Sequence, residues 1–269
     1  MSWFNKKNST IQSHKLNSKP INDYMGVTIY NVRDITKITL EQANKIKEYI
    51  DQFYLVVIKG NRIWTENEQL SFTEKIGILD APLTYSLPQP RLSKEKKDNR
   101  LVQSSGIFWH SDRAYNDNPS HLSVFQMTQI PLNGTETSFV SLIESYKELP
   151  KAIHKEWNHY CALYNSDAIH PLIWKHPFNG EVTIYLDLGF MTSIMNPCEN
   201  GEYLTVKDSN RVISLLNETL STQRSLYHHI WEKGDIVIVD NYAVAHKANL
   251  SLDHTHRILQ RTTTKGIHF

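Results

Sequence analysis

Phe108-Trp109-His110-Ser111-Asp112 is the stretch on which the reading of this chain turns. Residues two apart on an extended strand project to the same side, so the His110 imidazole and the Asp112 carboxylate share one face. Far downstream, Asp240-Asn241-Tyr242-Ala243-Val244-Ala245-His246 supplies a second imidazole just after an apolar run. Two histidines and one carboxylate gathered from distant strands occupy one face of a metal ion and leave the opposite face open. That arrangement suits iron(II) in enzymes that use dioxygen.

Outward from this stretch the pattern is a succession of short strands with a few helices. Strands are expected over 26–30, 54–58, 121–128, 137–140, 182–186, 225–230 and 236–240, with a last one roughly over 257–264. A helix is expected over 39–53, where Thr39 can cap, Glu41 falls in the first turn, and Ile46, Ile50 and Phe53 share a face. A second is expected over 65–76, with Thr65 and Glu68 as a capping box. Residues 142–157 read as helix broken near Pro150, and 207–220 as a further helix. Residues 1–25 are polar and read as a flexible arm, leaving 26–269 as a single domain. Between 80 and 106, Pro82, Pro88, Pro90 and a charged run interrupt any period. So long an irregular segment, leading straight into His110, reads as a lid. The sum is a mainly β domain with flanking helices (α+β), built as a sandwich or barrel.

Composition excludes several classes of partner. The 29 basic and 28 acidic side chains nearly cancel, so no strong field selects nucleic acid or an anionic membrane. No apolar run approaches the ~20 residues that span a bilayer, and the first residues lack a signal peptide's apolar core. Cys161 and Cys198 show neither pair spacing nor a zinc pattern, so a reduced cytoplasmic protein is the simplest reading.

Several motifs in order resemble the TauD/TfdA family of iron(II)- and 2-oxoglutarate-dependent dioxygenases over residues 26–265. They are Trp109-His110-Ser111-Asp112, Gly134-Thr135-Glu136-Thr137, His170-Pro171 with His176-Pro177, and Gly189-Phe190. Lys233-Gly234-Asp235, Asp240-Asn241, His246 and Arg257-Ile258-Leu259-Gln260-Arg261 complete the set. His-x-Asp alone is a weak signal; the ordered set is a strong one.

The resemblance implies a double-stranded β-helix (jelly-roll, cupin-like) core. It also implies His110, Asp112 and His246 as catalytic metal ligands for Fe(II), with 2-oxoglutarate and O2 as cosubstrates. Arg257, eleven residues after His246, matches the guanidinium that grips the far carboxylate of 2-oxoglutarate. Thr137 matches the hydroxyl that helps hold it, although Gly134-Thr135 departs from the family's Gly-Gly. Arg261, four residues beyond Arg257, would face the same way and either reach an anionic substrate or form a structural salt bridge. Tyr115, Phe190 and the 84–90 loop are pocket candidates that could equally be core. Arg113 could orient substrate or pair at the surface. His228, His229, His254 and His256 match no functional position.

Because Asp112 is retained, hydroxylation or a related oxidation such as desaturation is expected rather than halogenation. The expected substrate is a small anionic or zwitterionic organic molecule, with tailoring of a natural product or amino acid as the alternative. Two rivals stay open. A zinc hydrolase could use the same three ligands but has no need of Arg257 and Thr137. A cupin-like binding module would lose a ligand, and none is lost. Enzymes of this family are commonly homo-oligomers, but no self-complementary patch is legible.

Overall fold

The computed structural model describes residues 16–30, 32, 34–80, 82–86, 96–97, 100–101, 105–130, 136–196, 201–249 and 258–267. Its strands begin with β1 (Asn17–Pro20), β2 (Val27–Tyr30), β3 (Leu55–Ile58), β4 (Thr84–Ser86), β5 (Lys96–Lys97), β6 (Arg100–Leu101), β7 (Ser120–Gln129) and β8 (Glu136–Ser141). There follow β9 (Cys161–Tyr164), β10 (Ile169–Pro171), β11 (Ile173–Lys175), β12 (Val182–Ile184), β13 (Met191–Asn196) and β14 (Glu202–Tyr203). The last four are β15 (Tyr227–Ile230), β16 (Ile236–Asp240), β17 (Val244–Ala248) and β18 (Ile258–Lys265). The helices are α1 (Leu40–Phe53), α2 (Glu66–Ile76), α3 (Leu142–Lys147), α4 (Lys151–Trp157) and α5 (Val206–Ser221).

A seven-stranded sheet in the order β1-β2-β3-β16-β7-β18-β4 forms the larger wall. Its central strands are apolar on both faces, as a sheet covered on both sides requires. Val56, Ile58, Ile236 and Ile238 face one way, into a core with Ile46 and Ile50 of α1 and Phe72 and Ile76 of α2. Leu55, Val57, Val237 and Val239 face the other way and meet Phe139 and Val244 from the three-stranded sheet β15-β8-β17. The two sheets thus pack face to face, and the jelly-roll expectation holds. A third core gathers Trp109, Tyr164, Leu186, Ile194 and Ala245 with Val212, Leu216 and Leu220 of α5.

Local signals fix the helix ends. Thr39 accepts from the Gln42 N–H and the Gln42 side chain reaches back, a capping box on α1; Thr65 and Glu68 do the same for α2. Tyr54, left-handed at φ 62°, ends α1 and turns the chain into β3. The 142–157 region does break at Pro150, the N-cap of α4.

Three expectations need correction. Residues 17–20, assigned to the flexible arm, form β1 and pair with β2, because an unpaired edge offers backbone donors and acceptors even to a polar segment. His110 makes only isolated bridges, to Asp187 and His246, and the chain turns at Asp112 instead of continuing as a strand. Cys161, buried on β9, is disulfide-bonded; sequence spacing misleads here because strand register, with Met195 of β13 opposite Cys161, decides what lies nearby. Cys198 and most of the 80–106 segment read as a lid lie outside the described residues. No helix among the described residues is long and apolar enough to cross a membrane.

Candidate active site

His110, Asp112 and His246 converge, all three buried, with one donor atom of each within 4.8 Å of the others. Backbone pairing sets this up. The His110 N–H donates to the His246 carbonyl at 3.1 Å and the His246 N–H returns the bond at 2.8 Å, leaving the two rings 4.2 Å apart. Both Nε2 atoms lie 3.9 Å from Asp112 Oδ1. His110 Nδ1 donates to the Phe108 carbonyl at 2.8 Å, so its Nε2 carries the lone pair and faces the carboxylate. Phe125 and Phe139 pack against the His246 ring. Two imidazole nitrogens and a carboxylate oxygen in a buried cluster fit a divalent metal.

Asp112 is held ionised. Burial pushes its carboxyl up, but the Arg261 guanidinium beside it, the two imidazoles and the Ser123 hydroxyl outweigh that and hold it at about 2. Arg261 donates to Asp112 Oδ1 and, through Nε, to the Thr84 hydroxyl at 3.3 Å. Ser123 donates to Oδ2 at 2.6 Å. Asp187, which bridges His110, is pushed up to about 6 by burial; its Oδ1 accepts from Gly189 and Phe190 while Oδ2 has no partner among the described residues.

The other candidates fall as follows. Thr137 is buried on β8, where its hydroxyl accepts from Trp231 Nε1 at 2.9 Å. Tyr115 and Phe190 meet edge to face at 4.5 Å, half-buried against the core around Trp109. Arg113 pairs with Asp80 at 2.7 Å. Arg257 and Gly134 lie outside the described residues. Sequence reasoning missed Ser123 and Trp231, whose roles appear only once strands pair. The sequence motif Asp240-Asn241 carries no evident role of its own. The structure supplies one: Asp240 Oδ2 meets His176 at 2.9 Å and His121 at 3.4 Å, which fixes the chain at Asn241. Burial pushes the Asp240 carboxyl up, but the two imidazoles hold it well below the usual carboxylate range.

A jelly roll that gathers two histidines and an aspartate in one buried cluster has the donor set of a mononuclear metal enzyme. Comparison with known proteins narrows this. The profile of the "Taurine catabolism dioxygenase TauD, TfdA family" matches residues 17–263, and the chain belongs to that family of Fe(II)- and 2-oxoglutarate-dependent dioxygenases. It is similar to the 3-((Z)-2-isocyanoethenyl)-1H-indole synthase of Fischerella ambigua, at 22% identity over 85% of this chain and 87% of that one. It is equally similar, at 22%, to the alpha-ketoglutarate-dependent 2,4-dichlorophenoxyacetate dioxygenase of Cupriavidus pinatubonensis, over 83% of this chain and 88% of that one. Among solved structures, AAD-2 in complex with Mn(II) and N-oxalylglycine superposes with a TM-score of 0.78 at 18% identity, over 94% of this chain and 98% of that one. The protein is an oxidoreductase that uses Fe(II), 2-oxoglutarate and O2 on a small-molecule substrate.

Proposed function

We propose that the enzyme hydroxylates an unactivated carbon of a small organic anion or zwitterion, and that His110, Asp112 and His246 hold its iron. The observation that carries this is the convergence of three buried side chains able to hold a metal, with the partly exposed Arg261 guanidinium paired to Asp112 beside them. When bound, iron with 2-oxoglutarate and O2 supplies the oxidant, with succinate and CO2 released. The residues do the rest. Arg257 and Thr137 hold the far carboxylate of 2-oxoglutarate, Arg261 holds the substrate anion, and Tyr115 and Phe190 shape an apolar wall beside it. A guanidinium presents a planar fork to a carboxylate or sulfonate, so it can set which carbon faces the metal.

Relatives named for phenoxyacetate and sulfate-ester substrates support an anionic substrate. The likeness to an indole synthase favours a second reading, tailoring of a natural product or amino acid. Neither reading needs nucleic acid or a membrane. The cytoplasm, which supplies ferrous iron and 2-oxoglutarate, is the proposed location; thiol titration of freshly isolated protein tests whether the Cys161 disulfide exists there.

The test is anaerobic titration of Fe(II)-loaded protein with 2-oxoglutarate, following the visible charge-transfer band of the chelate. A band that is lost in His246→Ala supports the ligand set. Small carboxylates, sulfonates and sulfate esters are then screened for stimulated succinate release. Folded, metal-loaded protein without a band and without calorimetric binding of 2-oxoglutarate would refute the reading.

A further inference from the structure

Three hydrogen bonds form a closed ring that starts and ends on Asp112. The Asp112 N–H donates to Asn241 Oδ1 at 3.1 Å. Asn241 Nδ2 donates to Ser123 Oγ at 2.9 Å, and Ser123 Oγ donates to Asp112 Oδ2 at 2.6 Å. The polarity of this ring is determined. A backbone N–H can only donate, so the Asn241 oxygen must face it and the amide nitrogen must face Ser123. With its oxygen accepting from that amide, the serine proton goes to Asp112. All three residues of the ring are buried, which shields these bonds from bulk solvent.

We infer that Ser123 and Asn241 are positioning residues that commit Asp112 Oδ2 to the protein, so that the carboxylate offers a metal only Oδ1, which faces both histidine Nε2 atoms at 3.9 Å and also accepts from Arg261. This rests on the ligand assignment proposed above. The consequence is one of coordination number. With iron bound, the two histidines and a one-oxygen carboxylate would fill one face of the ion and leave the opposite face for 2-oxoglutarate and O2. If Oδ2 also bound, it would intrude on that open face. Asn241 reaches Ser123 from a turn anchored at Asp240 by His176 and His121, so the ring is braced from outside the site.

The experiment compares wild type with Ser123→Ala, Ser123→Thr and Asn241→Asp. The last is isosteric and redirects the serine proton toward the new carboxylate, so it serves even if Ser123→Ala fails to fold. Three readouts are taken: the anaerobic Fe(II)–2-oxoglutarate band and its dissociation constant, the d–d absorption of Co(II)-loaded protein, and succinate release from 2-oxoglutarate alone. In Ser123→Ala and Asn241→Asp, 2-oxoglutarate affinity should stay near wild type while succinate formation falls about 10-fold or more. The Co(II) spectrum should change with the added oxygen donor, and Ser123→Thr, which keeps the hydroxyl, should restore both. The inference is overturned if both disrupted variants match wild type in spectrum and rate. It is also overturned if Ser123→Thr is as impaired as Ser123→Ala, which would mark a packing role. A wild-type protein without the chelate band would instead defeat the parent reading.

Discussion

Gly234 offers a sharp test of how the turn before β16 is built. It sits at φ +85°, and a Cβ placed there would lie 1.4 Å from the Asn61 carbonyl oxygen and 2.4 Å from its carbon. In Gly234→Ala the two segments would have to part by roughly 1.6 Å merely to reach the shortest tolerable contact. Asn61 accepts from the Ile35 N–H at 3.1 Å, and neighbouring Asp235 holds Lys59 at 2.8 Å. Losing about two such bonds costs about 2 kcal/mol, and placing alanine in the left-handed region adds about 1–2. About 3–4 kcal/mol in a chain of this size lowers Tm by roughly 6–15 °C. Gly60 is the internal control, because it has φ +76° but nothing among the described residues within 4 Å of its Cβ position. Gly60→Ala should therefore cost only the conformational part, about 1–2 kcal/mol. Thermal melts of both variants, followed by circular dichroism, measure the difference. Equal melting temperatures for the two would refute the argument that close approach, not backbone conformation alone, demands glycine at 234.

His110→Ala should abolish Fe(II)-dependent succinate release, and calorimetry with Mn(II) should show metal affinity lost. Arg261→Gln should raise KM for the anionic substrate about 10-fold or more, as loss of a charge-assisted hydrogen bond implies, with 2-oxoglutarate affinity little changed. The reverse split is expected for Arg257→Ala. The Asp187 carboxyl is raised from 3.8 to about 6, so the folded state holds its proton where the unfolded chain has released it. Stability of the metal-free protein therefore falls as pH rises through that window, by roughly 3 kcal/mol in all. Asp187→Asn keeps the Oδ1 acceptor for Gly189 and Phe190 and should flatten the profile between about pH 4 and 6. Urea titrations at stepped pH measure the slope, and an unchanged slope would count against the assignment.

Much of this architecture is legible in the chain itself, for stated reasons. Capping residues Thr39 and Thr65 act within one turn, so α1 and α2 are readable locally. The apolar runs at Leu55–Ile58 and Ile236–Asp240 are readable because both faces are covered. By contrast β1, at an exposed edge, carries no apolar alternation and owes its shape to β2. The three proposed ligand residues are legible as motifs, but Ser123 is not. A serine inside a β-strand has no signature, and its meaning arises when β7 lies beside β16 and the turn at Asn241. Trp231 on Thr137 is hidden for the same reason.

His110 and His246 stand half a chain apart in sequence, yet they exchange both backbone bonds. Contacts of such long range close late, since the loop entropy must be met before the pairing returns anything. During synthesis, a ribosome that has released His110 and Asp112 still holds a chain unable to grip metal. Iron uptake would thus begin only after the second half has emerged and docked. In refolding, metal binding followed by stopped flow should lag the backbone signal, making the ion a reporter of finished topology.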